Sequence, residues 1–259
     1  MSNKPKKLFL DIETAPRVAY VWSFFKANIS PKQVLEHGRI LSYSAVWDDE
    51  DRIINSYNHD EDDTPIVCEL IKLLDSADIV IGHNLDKFDR GVINGQAAIA
   101  GIHPPSPYKV VDTYKVAKKE FNFPSNSLEY LSNVFNLNYK KKDHAKYPGW
   151  SLWIECLKGN KEAINEMMEY NDHDTLAVRE LYYKMLPYIR NHPNVGVYME
   201  SDKPVCPACG SHHIHYRGYT NTNVGKYRKY QCQECGHWSR TRKTEYPKEK
   251  ASSLLVNAN

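Results

Sequence analysis

The chain has 259 residues, 41% hydrophobic and 25% charged, with a formal net charge of +2. Its 12 glycines show no repeat period, which excludes collagen-like and solenoid architectures. No apolar run approaches the roughly 20 residues that span a bilayer. The stretch Leu8-Phe9-Leu10 before Asp11 is too short for the core of a secretion signal, so an intracellular chain is expected.

In chain order, residues 7–13 read as a strand. Residues 39–47 and 52–58 read as two more, joined by the polar turn Asp48-Asp49-Glu50-Asp51. Thr64 and Pro65 mark a helix start, with Thr64 at the N-cap and Pro65 first in the helix. A short apolar strand follows at 78–82, then helical periodicity over 86–100 and a strand at 109–112. Another helix is expected from about Thr113. Asn126-Ser127-Leu128-Glu129 opens a further one, running to Phe135. The last long helix runs from about Asn160 to Ile189. The order β-β-β-α-β-α-β-α-α predicts an α/β fold, a mixed sheet with helices on its faces. Pro187, Pro193 and Pro204 then punctuate a linker. The expected division is a body at 1–190, a linker at 191–203, a small module at 204–245 and a mobile tail at 246–259.

Four acids stand where apolar residues are expected. Asp11 and Glu13 lie two apart on a strand and so point the same way, while Leu8, Leu10 and Ile12 take the other face. Asp89 falls inside the apolar stripe of its helix, with Phe88, Val92, Ile93, Gln96, Ala97 and Ala100. Asp86 could cap that helix. Asp174 lies on the face formed by Met167, Tyr170, Ala177, Val178, Leu181 and Met185, one turn beyond Tyr170. Asp172 lies on a different, solvated face. Carboxylates aimed at a core imply a compensating cation, and hard oxygen donors suit Mg²⁺ or Mn²⁺. Two such ions are the usual apparatus for displacement at phosphorus.

On these residues the stretch from 7 to about 186 resembles a DEDD-type 3′–5′ exonuclease domain of the ribonuclease H-like superfamily. Asp11-Ile12-Glu13-Thr14 matches the first motif. Gly82-His83-Asn84-Leu85-Asp86-Lys87-Phe88-Asp89 matches the second, with the N-x-x-x-F-D spacing of family B DNA polymerase proofreading domains. Tyr170-Asn171-Asp172-His173-Asp174 matches the tyrosine form of the third, and stand-alone phage and bacterial exonucleases share an element like Val111-Asp112-Thr113. The resemblance implies a metal-dependent exonuclease in the cytoplasm of a bacterial or phage-infected cell. It also implies two Mg²⁺ (or Mn²⁺) held by Asp11, Glu13, Asp89 and Asp174, with Tyr170 orienting the attacking water. Asn84 and Phe88 would shape the terminal-nucleotide pocket, Phe88 being equally readable as core. The substrate would be single-stranded or 3′-ended DNA. An exoribonuclease is one alternative, and a nucleic-acid-binding protein with a silent nuclease fold is another. Lys140, Lys141, Lys142, His144 and Lys146 form a basic loop that could guide a strand, with Trp150 and Trp153 as packing residues.

The carboxy-terminal module is read from its cysteines. Cys206-Pro-Ala-Cys209-Gly and Cys232-Gln-Glu-Cys235-Gly are two CxxC pairs separated by 22 residues, a spacing that brings four thiolates to one tetrahedral Zn²⁺. Cys68 and Cys156 stand alone in helical segments as packing residues. Residues 201–259 hold 10 Lys+Arg against 4 Asp+Glu, leaving 24 against 28 in residues 1–200. Basic residues interleaved with rings, including Tyr227-Arg228-Lys229-Tyr230, suit contact with phosphates and bases. The segment resembles the zinc ribbons of transposases and other DNA-handling proteins. That implies one structural Zn²⁺ and nucleic acid as partner, with no membrane.

Overall fold

Alternation of apolar and acidic residues sets β1 (Lys7–Thr14), the central strand of a five-stranded sheet. The computed structural model describes residues 4–140 and 146–258. After β1 come β2 (Val18–Ala19) and β3 (Val34–Glu36), a small hairpin of its own. The chain returns through β4 (Ile40–Trp47) and β5 (Ile53–Tyr57), then α1 (Thr64–Asp75), β6 (Ile79–Gly82) and α2 (Asp89–Ile99). It continues with β7 (Lys109–Asp112), α3 (Thr113–Glu120), α4 (Leu128–Val134), α5 (Ser151–Leu157) and α6 (Lys161–Met185). The sheet order is β5-β4-β1-β6-β7, antiparallel on the β5-β4-β1 side and parallel across β1-β6-β7. This is the mixed α/β sheet flanked by helices that the element order predicts.

Both faces of β1 are covered. Leu8, Leu10 and Ile12 pack with Ile66, Val67, Leu70 and Leu74 of α1 and with Ile93 and Ala97 of α2. On the other face, the Phe9 ring meets Tyr182 of α6 edge-on at 5.5 Å. Thr175 of α6 donates to the Ser44 carbonyl of β4 on that side. Burying side chains on both faces is what gives a central strand its worth, about 25 cal/mol per Å² of apolar surface.

Several boundaries differ from the sequence pattern for identifiable reasons. Asp63, not Thr64, occupies the N-cap of α1, and its carboxylate is directed at the Ile40 amide instead. The second helix starts at Asp89, because residues 84–88 are folded into a turn. Asp86 does not cap it but pairs with Arg90 and Lys115 at 2.9 and 2.7 Å. Pro187 lacks an amide hydrogen, and α6 gives way to a 3-10 turn over Leu186–Tyr188. Asp172 is half-buried and accepts two hydrogen bonds from Asn55 Nδ2. The hairpin β2–β3 and helix α5 carry no periodic signal long enough to announce them.

The chain divides into two units, Lys6–Tyr182 and a second made of the segment from Tyr183 onward together with residues 4–5. The second unit contains β8 (Ile214–Thr222), β9 (Gly225–Cys232) and β10 (Trp238–Arg240) in the order β10-β9-β8, all antiparallel. A short helix, α7 (Lys248–Ser252), follows in the stretch expected to be a mobile tail. Among the described residues, no helix is long and apolar enough to cross a membrane.

Candidate active site

The site forms where three elements meet at the carboxyl end of β1, the usual place for ligands in an open α/β sheet. Asp11 and Glu13 are half-buried on the face that α6 covers. Asp89, the first residue of α2, is only 2% exposed, and Tyr170 and Asp174 of α6 are buried as well.

Local structure explains each placement. The last parallel pair of β1 and β6 is Phe9–Ile81, so the Ile12 amide lies beyond the end of β6. Asp89 Oδ1 accepts its hydrogen at 3.1 Å, which fastens α2 to β1. Gly82 closes β6 where a Cβ would stand about 3 Å from the Leu10 carbonyl and the Leu85 side chain. Asp112 then grips the turn. Its Oδ1 accepts from the amides of Asn84 and Tyr114, both at 3.0 Å, and its Oδ2 accepts from Asp86 at 3.2 Å. Asn84 adopts the left-handed conformation (φ 65°), which Asn tolerates better than most residues.

Charge accumulates around Asp11. Burial, and then the carboxylates of Asp89, Asp174 and Glu13, raise its pKa well above the ordinary range. One hydrogen bond opposes this: Asn171 Nδ2 donates to Asp11 Oδ2 at 2.6 Å. Asn171 is itself held by Ser42, whose hydroxyl donates to Asn171 Oδ1 at 3.2 Å. Burial pushes Asp89 up to about 7, opposed by amide hydrogen bonds and assisted by Asp112. Burial raises Tyr170 far above an ordinary phenol, and Asp174, Glu13 and Asp11 raise it further. At neutral pH its hydroxyl keeps its proton.

The raised pKa of Asp89 is also a statement about stability. Asp89 holds a proton more tightly folded, at about 7, than unfolded, at 3.8, so its contribution is full below pH 3.8. That contribution is lost as pH rises through the folded value. In chelator, Asp89→Asn is expected to be more stable than the unsubstituted protein at pH 8 by roughly 4 kcal/mol. The gap should close near pH 4. Urea denaturation at the two pH values measures it, and a gap independent of pH would refute a proton held on Asp89.

The remaining candidates are dispersed. Phe88 is 41% exposed and is not core. It lines a cleft of about 530 Å³ together with Thr14, Arg17, His37, Arg39 and Lys87. Lys140 donates to Asn136 on the surface. Lys141, Lys142 and His144 lie outside the described residues, and Lys146 pairs with Glu162. Trp153 packs edge-on against Tyr170 at 6.4 Å, whereas Trp150 is largely exposed rather than a packing residue. The motifs contain Asn171 and Asp112 without giving them a role. The signal for Asn171 is a pair of polar residues, Asn171 and Thr175, four apart on a buried helix face, and the signal for Asp112 is an N-cap position immediately before Thr113.

In the second unit, Cys206, Cys209, Cys232 and Cys235 bring their sulfurs within 4.8 Å of one another. Among the described residues, no other set of three or more His, Cys, Asp or Glu closes to that spacing, the four acids included. All six cysteines are free thiols, and the Sγ atoms of Cys206 and Cys235 stand 3.6 Å apart. Hydrogen bonds from Cys209 and Cys235 pull the Cys206 thiol well down, while its neighbour Cys209 is pushed up to about 12. Four sulfurs this close cannot all ionise unless a cation joins them, so the set fits a metal. Gly210 and Gly236, with φ of 78° and 75°, make the turn after each pair. Arg228 pairs with Glu245 at 3.2 Å, and Lys229 lies over the Trp238 ring at 5.2 Å. Cys156 is buried, but Cys68 is only half-buried.

A family model of the RNase_H superfamily matches residues 8–186. Curated proteins contain no match to the chain. Among solved structures, the family B DNA polymerase from the hyperthermophilic archaeon Pyrobaculum calidifontis is similar at a TM-score of 0.53 and 16% identity. The similarity covers 71% of this chain and 25% of that one, so the chain spans about a quarter of the polymerase. At that identity the likeness is one of fold. With the family model covering more than half of its length, the chain belongs to the RNase_H superfamily.

Proposed function

We propose that this protein is a metal-dependent 3′–5′ exonuclease that hydrolyses terminal phosphodiester bonds of nucleic acid, DNA before RNA. The observation that carries the reading is Asp11, half-buried beside three other carboxylates that, with burial, raise its pKa. Such a set of hard oxygen donors is relieved by a divalent cation and suits Mg²⁺ or Mn²⁺. Asp11 would serve both ions, with Glu13 and Asp174 holding one of them and Asp89 the other or its waters. Bound there, the ions would lower the pKa of the attacking water and stabilise the leaving 3′ oxygen.

The chain's own residues do the positioning. Asn171 holds one oxygen of Asp11, which fixes the carboxylate's orientation. Tyr170 stays protonated, so it hydrogen-bonds and orients a water rather than taking its proton. Tyr170→Phe is therefore expected to cost about 10-fold in kcat, below the roughly 10²-fold or more that a general base supplies. A loss as large as that of Asp11→Ala would defeat the orienting role. Asn84 and Phe88 shape the seat of the terminal nucleotide.

In the carboxy-terminal module (204–245), the four cysteines are read as a zinc ribbon with one structural Zn²⁺, and Arg228 and Lys229 as nucleic-acid contacts. Digestion of 3′- and 5′-labelled DNA and RNA with Mg²⁺ or Mn²⁺ tests activity, polarity and sugar preference together. Mononucleotides released from the 3′ end are the expected product. Release from RNA alone would make the enzyme an exoribonuclease, and no release from either would leave a silent nuclease fold.

A further inference from the structure

The segment between β1 and β4 lines the cleft beside Phe88 at its root, and its outer part has no role in the site described above. Ala15 donates to the Arg39 carbonyl at 2.8 Å, and Gln96 of α2 donates to the Gly38 carbonyl at 2.8 Å. Farther out, Gln33 clasps the two sides. Its side chain donates to the Tyr20 carbonyl at 2.8 Å, and its carbonyl accepts from the Tyr20 amide at 2.9 Å. Ser30 and Gln33 complete a capping box around a 3-10 turn at Pro31–Gln33. A clasped root holds an arm beyond it, residues 20–29.

That arm displays aromatic rings to solvent. Trp22 is 100% exposed, Phe24 94%, Phe25 85% and Tyr20 70%. Rings concentrated in six residues add nothing to the core, and an exposed apolar patch of this kind marks an interaction surface. Two occupants differ in what should accompany the rings. A protein partner calls for apolar neighbours, whereas a nucleic-acid strand calls for cations spaced among the rings. Lys26 lies within the arm and Arg17 and Lys32 flank it, and among the described residues none of the three pairs with an acid. Glu36 is the one acid in residues 15–37, within a body whose acids outnumber its bases. Arg17 also lines the cleft shared by Thr14 and Phe88, so the root of the arm is continuous with the candidate site.

We propose that this arm is a stacking platform for the single-stranded stretch behind the 3′ end of the substrate. Trp22, Phe24 and Phe25 take bases on their faces, and Arg17, Lys26 and Lys32 meet the phosphates. The proposal rests on the exonuclease reading for the direction of the strand, and it specifies an unpaired tail as the substrate. A substrate of a few nucleotides fills the cleft without reaching the arm, so the arm's contribution grows with strand length.

The test uses the full-length protein with fluorescently labelled dT5 and dT20, in chelator so that binding is read without turnover. Replacing Trp22, Phe24 and Phe25 together with serine is expected to weaken dT20 binding by about 10- to 100-fold. The ratio of dT20 to dT5 affinity should collapse. Exchanging Arg17, Lys26 and Lys32 for glutamine should lower the salt slope of dT20 binding by about two. Quenching of Trp22 fluorescence by dT20, taken as the difference from Trp22→Phe, reads the stack directly and does not depend on the triple variant folding. Undiminished dT20 affinity in the serine variant, or no quenching, overturns the proposal and makes the arm a protein contact. Quenching without hydrolysis in Mg²⁺ would keep the arm and refute the exonuclease reading. Hydrolysis with no effect of the arm variants would do the reverse.

Discussion

Asp11→Ala is expected to lower Mg²⁺-dependent release of 3′ nucleotides by about 10³- to 10⁵-fold, a barrier increase of about 4–7 kcal/mol. Asp11 is the acid that the other three surround, so its loss removes the group common to both proposed ion sites. Asp174→Ala should fall in the same range. Neither change is expected to unfold the chain, because each removes a carboxylate that its neighbours repel. Asp172→Ala is the control. Asp172 is bonded to Asn55 at the sheet edge, two residues from Asp174 in sequence but outside the cluster. Rates with labelled single strands, alongside thermal melting, make the comparison. Activity surviving in Asp11→Ala, or persisting in chelator, would end the two-metal reading.

Purified protein is expected to carry about one zinc per chain, and stripping it should unfold the carboxy-terminal module. Beyond Pro193, the buried apolar side chains among the described residues are Val195, Cys206, Ala208 and Cys232. That is too little apolar surface to offset the entropy of ordering three strands, at about 1–2 kcal/mol per residue. Metal binding in small zinc modules adds about 10–16 kcal/mol of folding free energy, the term this module needs beyond its apolar burial. Cys206→Ser or Cys232→Ser should lose the ion and the protection of amides in β8 and β9, while amides in β1 and β4 remain protected. Elemental analysis with hydrogen exchange measures both. Absence of zinc, or a module that stays protected without it, would remove the ribbon reading.

Much of this was legible in the sequence because it depends on short-range period and spacing. The alternation around Asp11 and Glu13 assigns them to one face of a strand wherever that strand lies. The stripe from Met167 to Met185 likewise places Tyr170 and Asp174 on one side of α6, and the side chains of that stripe are indeed buried. Two CxxC pairs can reach one point with few constraints on the chain between them. Other features depended on partners far along the chain. That Asn171 holds Asp11 follows only when α6 lies across β1, bringing together residues 160 positions apart. The turn at Asn84 comes from Asp112, which no local pattern links to it, and that turn delays the start of α2 to Asp89. Phe88 fits an apolar stripe, yet the helix begins after it and leaves its ring at the cleft. The aromatic arm has no helical or strand period at all. Only the fold decides that Trp22 and Phe24 face water, because the clasp of Gln33 on Tyr20 holds the arm where those rings pack against no core.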